Sequence, residues 1–426
     1  MADASLQIGN GNWAVKPSLL LGYNVVSNLY NPIEVDVTRA TLGTRTNQAG
    51  IIDIKDNNIA RINYESGVGS LLLEPQRINL STNSGTLTGF GTFGISLSSA
   101  LSNNPENGIN SVLMTENTDN SAHFTFGPSV INYTIGILYT NSIFVKKGNG
   151  SNAPNIVQLT FNSVAFGTSQ YANFNILTGV ITAQVGGTAT ITSYPNGWYR
   201  ISFSAQCTVT STNASGVTLF FTNNNPTATR GSIYVGNVNS NVFVWGAQLE
   251  QGAYPTSYIP TTTTALIRNA DVSSKTGISD LIGQTEGVLF IESSALFNDL
   301  TSRVISISDG TNNNRIFLGY NSVTQQIVFS VVSGGNVIIS GIAYNVTDET
   351  QFAKIAVRYS NTLGYSLWVN GASRGISALT TLPIVMNRFG FDSGAGGGGF
   401  YYAKVKQVQL YKTYLTNAEM AALTTL

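Results

Sequence analysis

The chain has 426 residues, 21 Lys plus Arg against 21 Asp plus Glu, a formal net charge of zero, and only 10% charged residues beside 42% hydrophobic ones. That length exceeds what one hydrophobic core usually supports, so two or more domains are expected. A balanced charge disfavours nucleic-acid binding, which needs clustered Lys or Arg against phosphates, and a single cysteine, Cys207, excludes an internal disulfide framework.

Residues 1–34 carry Trp13, Leu19 to Leu21, Tyr23 and Tyr30 without clean periodicity. The segment reads either as a docking piece for another chain or as a strand added to the first domain. It lacks the basic start and the apolar run of a secretory signal, and no run in the chain approaches the ~20 residues needed to span a bilayer. Assembly in a cytoplasm without membrane insertion is the expectation.

Residues 35–80 are different. Arg39, Arg45, Lys55, Arg61 and Arg77 stand among Asp36, Asp53, Asp56, Glu65 and Glu74, ten charges in 46 residues. The stretch is too Arg-rich and too apolar for a flexible tether. Arg–carboxylate forks are expected to fix it against a neighbour, with Arg39, Arg45, Arg61, Arg77 and Glu74 in an assembly or interdomain role.

From Ser81 to Thr262, short alternating runs broken by Gly, Asn, Ser and Pro recur every 8–12 residues, the pattern of an all-β sandwich. Tyr199, Ile201, Phe203 and Ala205 share one face. Phe243, Trp245, Ala247 and Leu249 are expected to do the same. The run PTTTTALIRNADV (260–272) marks a boundary, and 263–286 reads as a linker.

Residues 287–426 hold a second set of strands. Asn370-Gly371 is a strong hairpin signal. The inward pattern slips between Val405 and Val408, as a β-bulge would make it. Thr416 to Glu419 is a capping box flanked by Leu415 and Met420 at staple positions, which predicts a short helix over 417–423.

Three stretches carry a family resemblance. VDVTRATLGTRTNQAGII followed by GSLLLEPQRINL resembles a connector of bacteriophage virion proteins, chiefly tail fibres and related adhesins. NGWYRISF (196–203) and WGAQLEQGAYPTSYIPT (245–261) look like signatures of a jelly-roll, carbohydrate-binding-module-like domain. YSLWVNG and the ending GFYYAKVKQVQLYKTYLTNAEM resemble a concanavalin A-like, laminin G-type sandwich. The resemblance implies an all-β fold of two β-sandwich domains, jelly-roll at 81–262 and laminin G-type at 287–426. It also implies a structural, non-enzymatic protein of a tailed-phage virion, a tail fibre or spike adhesin that contacts host-surface glycans as a homotrimer. A head fibre or capsid decoration protein is the alternative, and a polysaccharide depolymerase the next.

Site residues are sparse. Sugar binding needs an aromatic face with amide or carboxylate partners, which Tyr401 and Tyr402 beside the glycine run would supply. Trp368 would too if it faces outward rather than into the core. No cofactor is expected. Calcium is the one ion the composition permits, with Asp309 and Asp392 on loops as candidate ligands, although the Asx-turn reading is the favoured one for each. The only histidine, His123, and Cys207 read as structural. The scattered carboxylates, among them Glu116 with Asp119 and Asp348 with Glu349, form no hydrolase motif.

Overall fold

The computed structural model describes residues 2–11, 13, 15–16, 19–23, 32–65, 67–128 and 130–426. The all-β expectation holds. Among the described residues the α-helices are Ser163–Phe166 and Asn417–Thr424, and none is long and apolar enough to cross a membrane. The chain forms two compact units, and both are discontinuous. A terminal unit comprises Met1–Leu42, Lys55–Pro75 and Asn269–Leu426, and an inserted unit comprises Gly43–Ile54 and Gln76–Arg268.

The inserted unit is a sandwich of two six-stranded antiparallel sheets. One runs Ile95–Ala100, Ser111–Glu116, Asn241–Gln251, Leu138–Lys147, Trp198–Gln206 and Thr188–Tyr194. The other runs Gly91–Phe93, Phe124–Phe126, Thr218–Phe221, Ile156–Thr160, Tyr171–Asn175 and Val180–Val185. The core lies between them. Ile143, Val145, Ile201, Phe203 and Ala205 of the first sheet meet Val157, Leu159, Phe174, Leu219 and Phe221 of the second.

The expected single face of Phe243, Trp245, Ala247 and Leu249 is not kept. Val242, Val244, Ala247 and Leu249 enter the core, whereas Phe243 and Trp245 pack on the opposite face with Phe144, Trp198, Tyr258 and Ile52. The cause is a bulge: between Ser142↔Gln248 and Phe144↔Trp245 the strand Asn241–Gln251 carries one extra residue. Gly246 sits there at φ +66°, and a Cβ on it would lie 2.7 Å from the Phe144 ring. A glycine at this point lets the strand swap faces.

The terminal unit is also a sandwich. One layer centres on Glu286–Ala295, paired with Ala353–Ser360 on one side and Ala403–Tyr411 on the other. The other contains Arg303–Ser308, Arg315–Tyr320, Gln326–Ser333 and Arg388–Gly390. Between them lie Leu289, Ile291, Ile355, Val357, Ile305, Ile307, Leu318 and Phe329. The predicted slip is a bulge at Lys406: Glu292 pairs with Gln407 and Ser293 with Val405, so Val405 and Val408 both reach the core. Asn370 (φ 49°) and Gly371 (φ 80°) turn the hairpin with two left-handed residues. The C-terminal helix has the reciprocal Thr416–Glu419 capping box. Its Met420 and Leu423, with Leu415, cover Val288, Phe290 and Trp368 on the outer face of the first layer.

Two expected boundaries change. Of residues 1–34, Leu6–Gly9 is a strand paired with Ala403–Tyr411 of the terminal unit, with Leu6 and Ile8 buried; residues 24–31 lie outside the described residues. The supposed linker 263–286 is structured. Leu266–Arg268 pairs with Arg77–Asn79, and Val272–Thr276 pairs with Pro32–Thr38 and Arg388–Gly390.

Candidate functional site

The second sheet of the inserted unit turns its outer face away from the core, and alternation decides what it presents there. In Phe124–Phe126, Thr125 is buried and both phenylalanines are half-buried on the outer face. In Thr218–Phe221, Leu219 and Phe221 enter the core, which leaves Phe220 facing out. Phe124 and Phe220 stack at 4.3 Å between ring centres, and Phe93 and Phe126 flank Phe124 at 5.5 and 5.8 Å. Gly91 makes room for this floor, since a Cβ there would sit 2.2 Å from Phe126 Cζ.

Amides occupy the other half of that face, and a loop covers them. Gln158 and Asn173 hydrogen-bond each other at 2.8 Å. Asn173 Nδ2 donates to Pro226 O and Ala228 O, and Gly231 N donates to Gln158 Oε1. The loop 226–231 is thereby pinned across the sheet beside the aromatic half. Asn162, Ser163 and Val164 form one wall and Ser211 to Ser215 another, bridged by Asn162 Nδ2 donating to Ser215 Oγ. The groove is open to solvent and has a volume of about 600 Å³, within the range of roughly 300–1,000 Å³ usual for ligand sites.

Arg230 closes one end of the groove. Its Nε donates to Thr160 Oγ1 and its Nη2 to Phe161 O, both at 3.0 Å. Its guanidinium lies 5.8 Å from the Phe220 ring centre. Partial burial holds its pKa below the ordinary arginine value. An aromatic floor, amide and hydroxyl walls and one oriented cation suit a ligand with both apolar C–H faces and polar groups. None of the sugar-contact residues expected from sequence lies here. Phe124, Phe126, Phe220 and Arg230 were legible only as strand and loop residues, although alternation puts both phenylalanines of FTF on one face and requires the adjacent Phe220 and Phe221 of TLFF to face opposite ways.

The expected sugar platform in the terminal unit is not formed as anticipated. Trp368 is 6% exposed beneath the C-terminal helix, with Nε1 bonded to Ser366 Oγ. Tyr401 is 1% exposed, its hydroxyl 2.6 Å from Ser293 Oγ. The helix covers Trp368, and Tyr401 packs between the two layers beside Tyr320 and Phe391. Tyr402 stays partly exposed, 5.8 Å from the Phe400 ring.

The calcium candidates are likewise engaged. Asp392 accepts from Arg388 Nη1 at 2.8 Å, Nη2 at 2.5 Å and Gly394 N at 2.8 Å. A cation there would confront a guanidinium. Asp309 is an Asx-turn residue that accepts from Thr311 N, Thr311 Oγ1 and Asn314 Nδ2. Burial pushes its carboxyl up, but these bonds leave it below its ordinary value. Among the described residues, no group of three or more His, Cys, Asp or Glu could hold a metal ion.

The charged segment makes some of its forks within itself and the others with Asp271, far along the chain. Arg39 uses all five donors, on the carbonyls of Thr41, Lys55, Asp56 and Ile59 and on Asp271 Oδ1 at 2.9 Å. Arg61 pairs with Asp271 and with Glu74 at 2.7 Å, and Glu74 N donates to Asp271. All four side chains are buried within the terminal unit. Asp271, read from sequence as part of a boundary, is the hub. Arg45 pairs with Asp53 across a hairpin of the inserted unit, and Arg77 lies over the Tyr254 ring.

His123 is fully buried, its ring nitrogens against Gly94 O and Tyr234 O. Cys207 is buried, and burial pushes its thiol up. Glu116 accepts from Tyr234 and Asn237 N, and Asp348 from Asn298, Thr350 and Gln351, which holds the Asp348 carboxyl down at about 2. Glu349 is different. Its carboxylate oxygens are buried without a hydrogen bond, Arg303 Nη1 is 3.8 Å away, and burial raises it to about 7.

No family model and no curated protein matches the sequence. Among solved structures, the Ruminococcus gnavus IT-sialidase CBM40 is similar at a TM-score of 0.30 and 13% identity, over 35% of this chain and 97% of that one. The CBM22-1–CBM22-2 tandem domain of Paenibacillus barcinonensis Xyn10C gives 0.26 and 11%, over 80% and 99%. Trypanosoma rangeli sialidase gives 0.27 and 12%, over 99% and 83%. Likenesses this loose carry nothing about ligand or activity.

Proposed function

We propose that this chain is a non-enzymatic glycan-binding protein of a tailed-phage virion, a tail fibre or spike adhesin, and that the groove of the inserted unit is its sugar site. The observation that carries the sugar reading is the groove itself. Phe124 and Phe126, half-buried and tilted against each other, lie on an outer sheet face with the more deeply buried Phe220 stacked on Phe124, and amides, hydroxyls and one arginine surround them. Stacked rings take the C–H face of a sugar, and the walls take its hydroxyls. The virion setting rests on the resemblance of Val35 to Leu80 to phage connectors, and homotrimeric assembly and attachment to other virion proteins rest on it too.

The test is a glycan array probed with the full chain, followed by titration of the best ligand. Phe124→Ala and Phe220→Ala are expected to weaken binding tenfold or more, since base and ring stacking on aromatics is worth about 1–3 kcal/mol in other systems. Unchanged binding in both variants overturns the site. Immunogold labelling at the tail supports the adhesin, whereas label on the capsid supports a head fibre or decoration protein. Release of reducing ends from host polysaccharide would make the chain a depolymerase.

A further inference from the structure

We propose that this groove selects sugars bearing a carboxylate, with Arg230 as the group that binds the anion; the inference rests on the groove being the sugar site. Arg230 is the sole charged side chain among the described residues lining it. Its Nε and Nη2 are spent on Thr160 Oγ1 and Phe161 O, which fixes the plane of the guanidinium and leaves Nη1 without a partner among the described residues. No carboxylate pairs with it there. Arg39, Arg61, Arg303 and Arg388 each face an acid, whereas the buried Arg200 and Arg358 donate to hydroxyl and carbonyl oxygens and do not line this groove.

A partly desolvated cation without a counter-ion is unfavourable in the empty groove. A ligand that brings the missing negative charge relieves that cost, and the oriented fork needs little reorganisation to receive it. Burial already pulls the Arg230 pKa down, as expected of a cation in want of an anion. The neighbours suit the rest of a sugar. Asn162 and Asn213 line the walls, and Ser211 Oγ is buried there without a hydrogen-bond partner. Phe220 beneath the guanidinium places the anion site at the edge of the stacking floor, so one ring could lie on the aromatics while its carboxylate reaches Arg230.

The experiment titrates the full chain with four probes: trigalacturonate, its neutral counterpart trigalactose, sialyllactose and lactose. The proposal expects at least one acidic sugar to bind about tenfold to a hundredfold more tightly than its neutral counterpart. That preference should shrink as salt rises. It should vanish in Arg230→Gln and survive in part in Arg230→Lys. The uronate and sialate arms tell which acid is preferred. Equal binding of acidic and neutral sugars, abolished by Phe124→Ala, overturns the carboxylate preference and leaves the groove as the sugar site. Binding indifferent to Phe124→Ala overturns both. Inorganic sulfate that competes while no carboxylate sugar binds also overturns the proposal, in favour of a sulfated ligand.

Discussion

Asp271 joins two buried arginines and a backbone amide of the terminal unit. Asp271→Ala removes the anion shared by Arg39 and Arg61 and the acceptor of Glu74 N. Breaking one buried ion pair usually costs about 3–5 kcal/mol, because the surviving charge stays buried. Here the damage is partly contained. Arg39 keeps four carbonyl acceptors, and Arg61 keeps Glu74. The loss should therefore fall near one such pair, about 3–5 kcal/mol, and not near two. Asp271→Asn keeps the shape and one acceptor oxygen but loses the charge, and should lose about half as much.

Urea unfolding at pH 7, followed by tryptophan fluorescence, reads this directly. Trp13 and Trp368 lie in the terminal unit, and Trp198 and Trp245 in the inserted one. The variants should lower the transition that Trp13 and Trp368 report, as single-tryptophan versions would show. A loss under about 1 kcal/mol for Asp271→Ala would refute the reasoning, since a solvated surface pair costs no more than that. Equal losses for Ala and Asn would show that the charge matters and the acceptor oxygen that Asn retains does not.

Three other outcomes are expected. Glu349 is raised to about 7 by burial, so the fold favours its neutral form; that stability is complete below pH 4.5 and is lost as pH climbs through 7. Glu349→Gln should therefore gain on the wild type between pH 5 and pH 8.5, by at most about 3 kcal/mol, and a pH-independent difference in unfolding free energy would count against it. Gly91→Ala drives a methyl into Phe126, so sugar binding should fall while the far-UV circular dichroism of the protein stays unchanged. Thr416→Ala removes the N-cap of the C-terminal helix and should cost about 1 kcal/mol in chemical denaturation, with no effect at the groove.

What the sequence reveals here follows from how far each signal reaches. Local signals were sufficient for the Thr416 capping box, the Asn370-Gly371 turn and the bulge near Lys406, because each is decided by residues a few positions apart. Alternation identified Ile201, Phe203 and Ala205 as core, but it could not see Gly246 reversing the faces of its strand. It also cannot tell which of two apolar faces meets a second layer. Alternation favoured the core for Trp368 and the helix over it bears that out, whereas nothing in the sequence singled out Phe124 and Phe220. The excess of charge at 35–80 was visible at once. Its hub was not, because Asp271 lies more than 190 residues beyond Glu74 in the chain.

The interleaving of the two units bears on how such a protein can be shuffled by recombination. A crossover within 76–268 would join halves of two different sandwiches. Even an exchange cut at both ends of that stretch would leave Gly43–Ile54 behind. That hairpin supplies Ile52 to the cluster of Phe144, Trp198 and Trp245, and Thr44 Oγ1 to Tyr258 O. A donor module would arrive with its own aromatics and meet the recipient's hairpin. Functional chimaeras that inherit 43–268 as one block should thus show compensating changes around Arg61 and Glu74, which belong to the terminal unit, and those that inherit 76–268 alone should show them at Thr44 and Ile52.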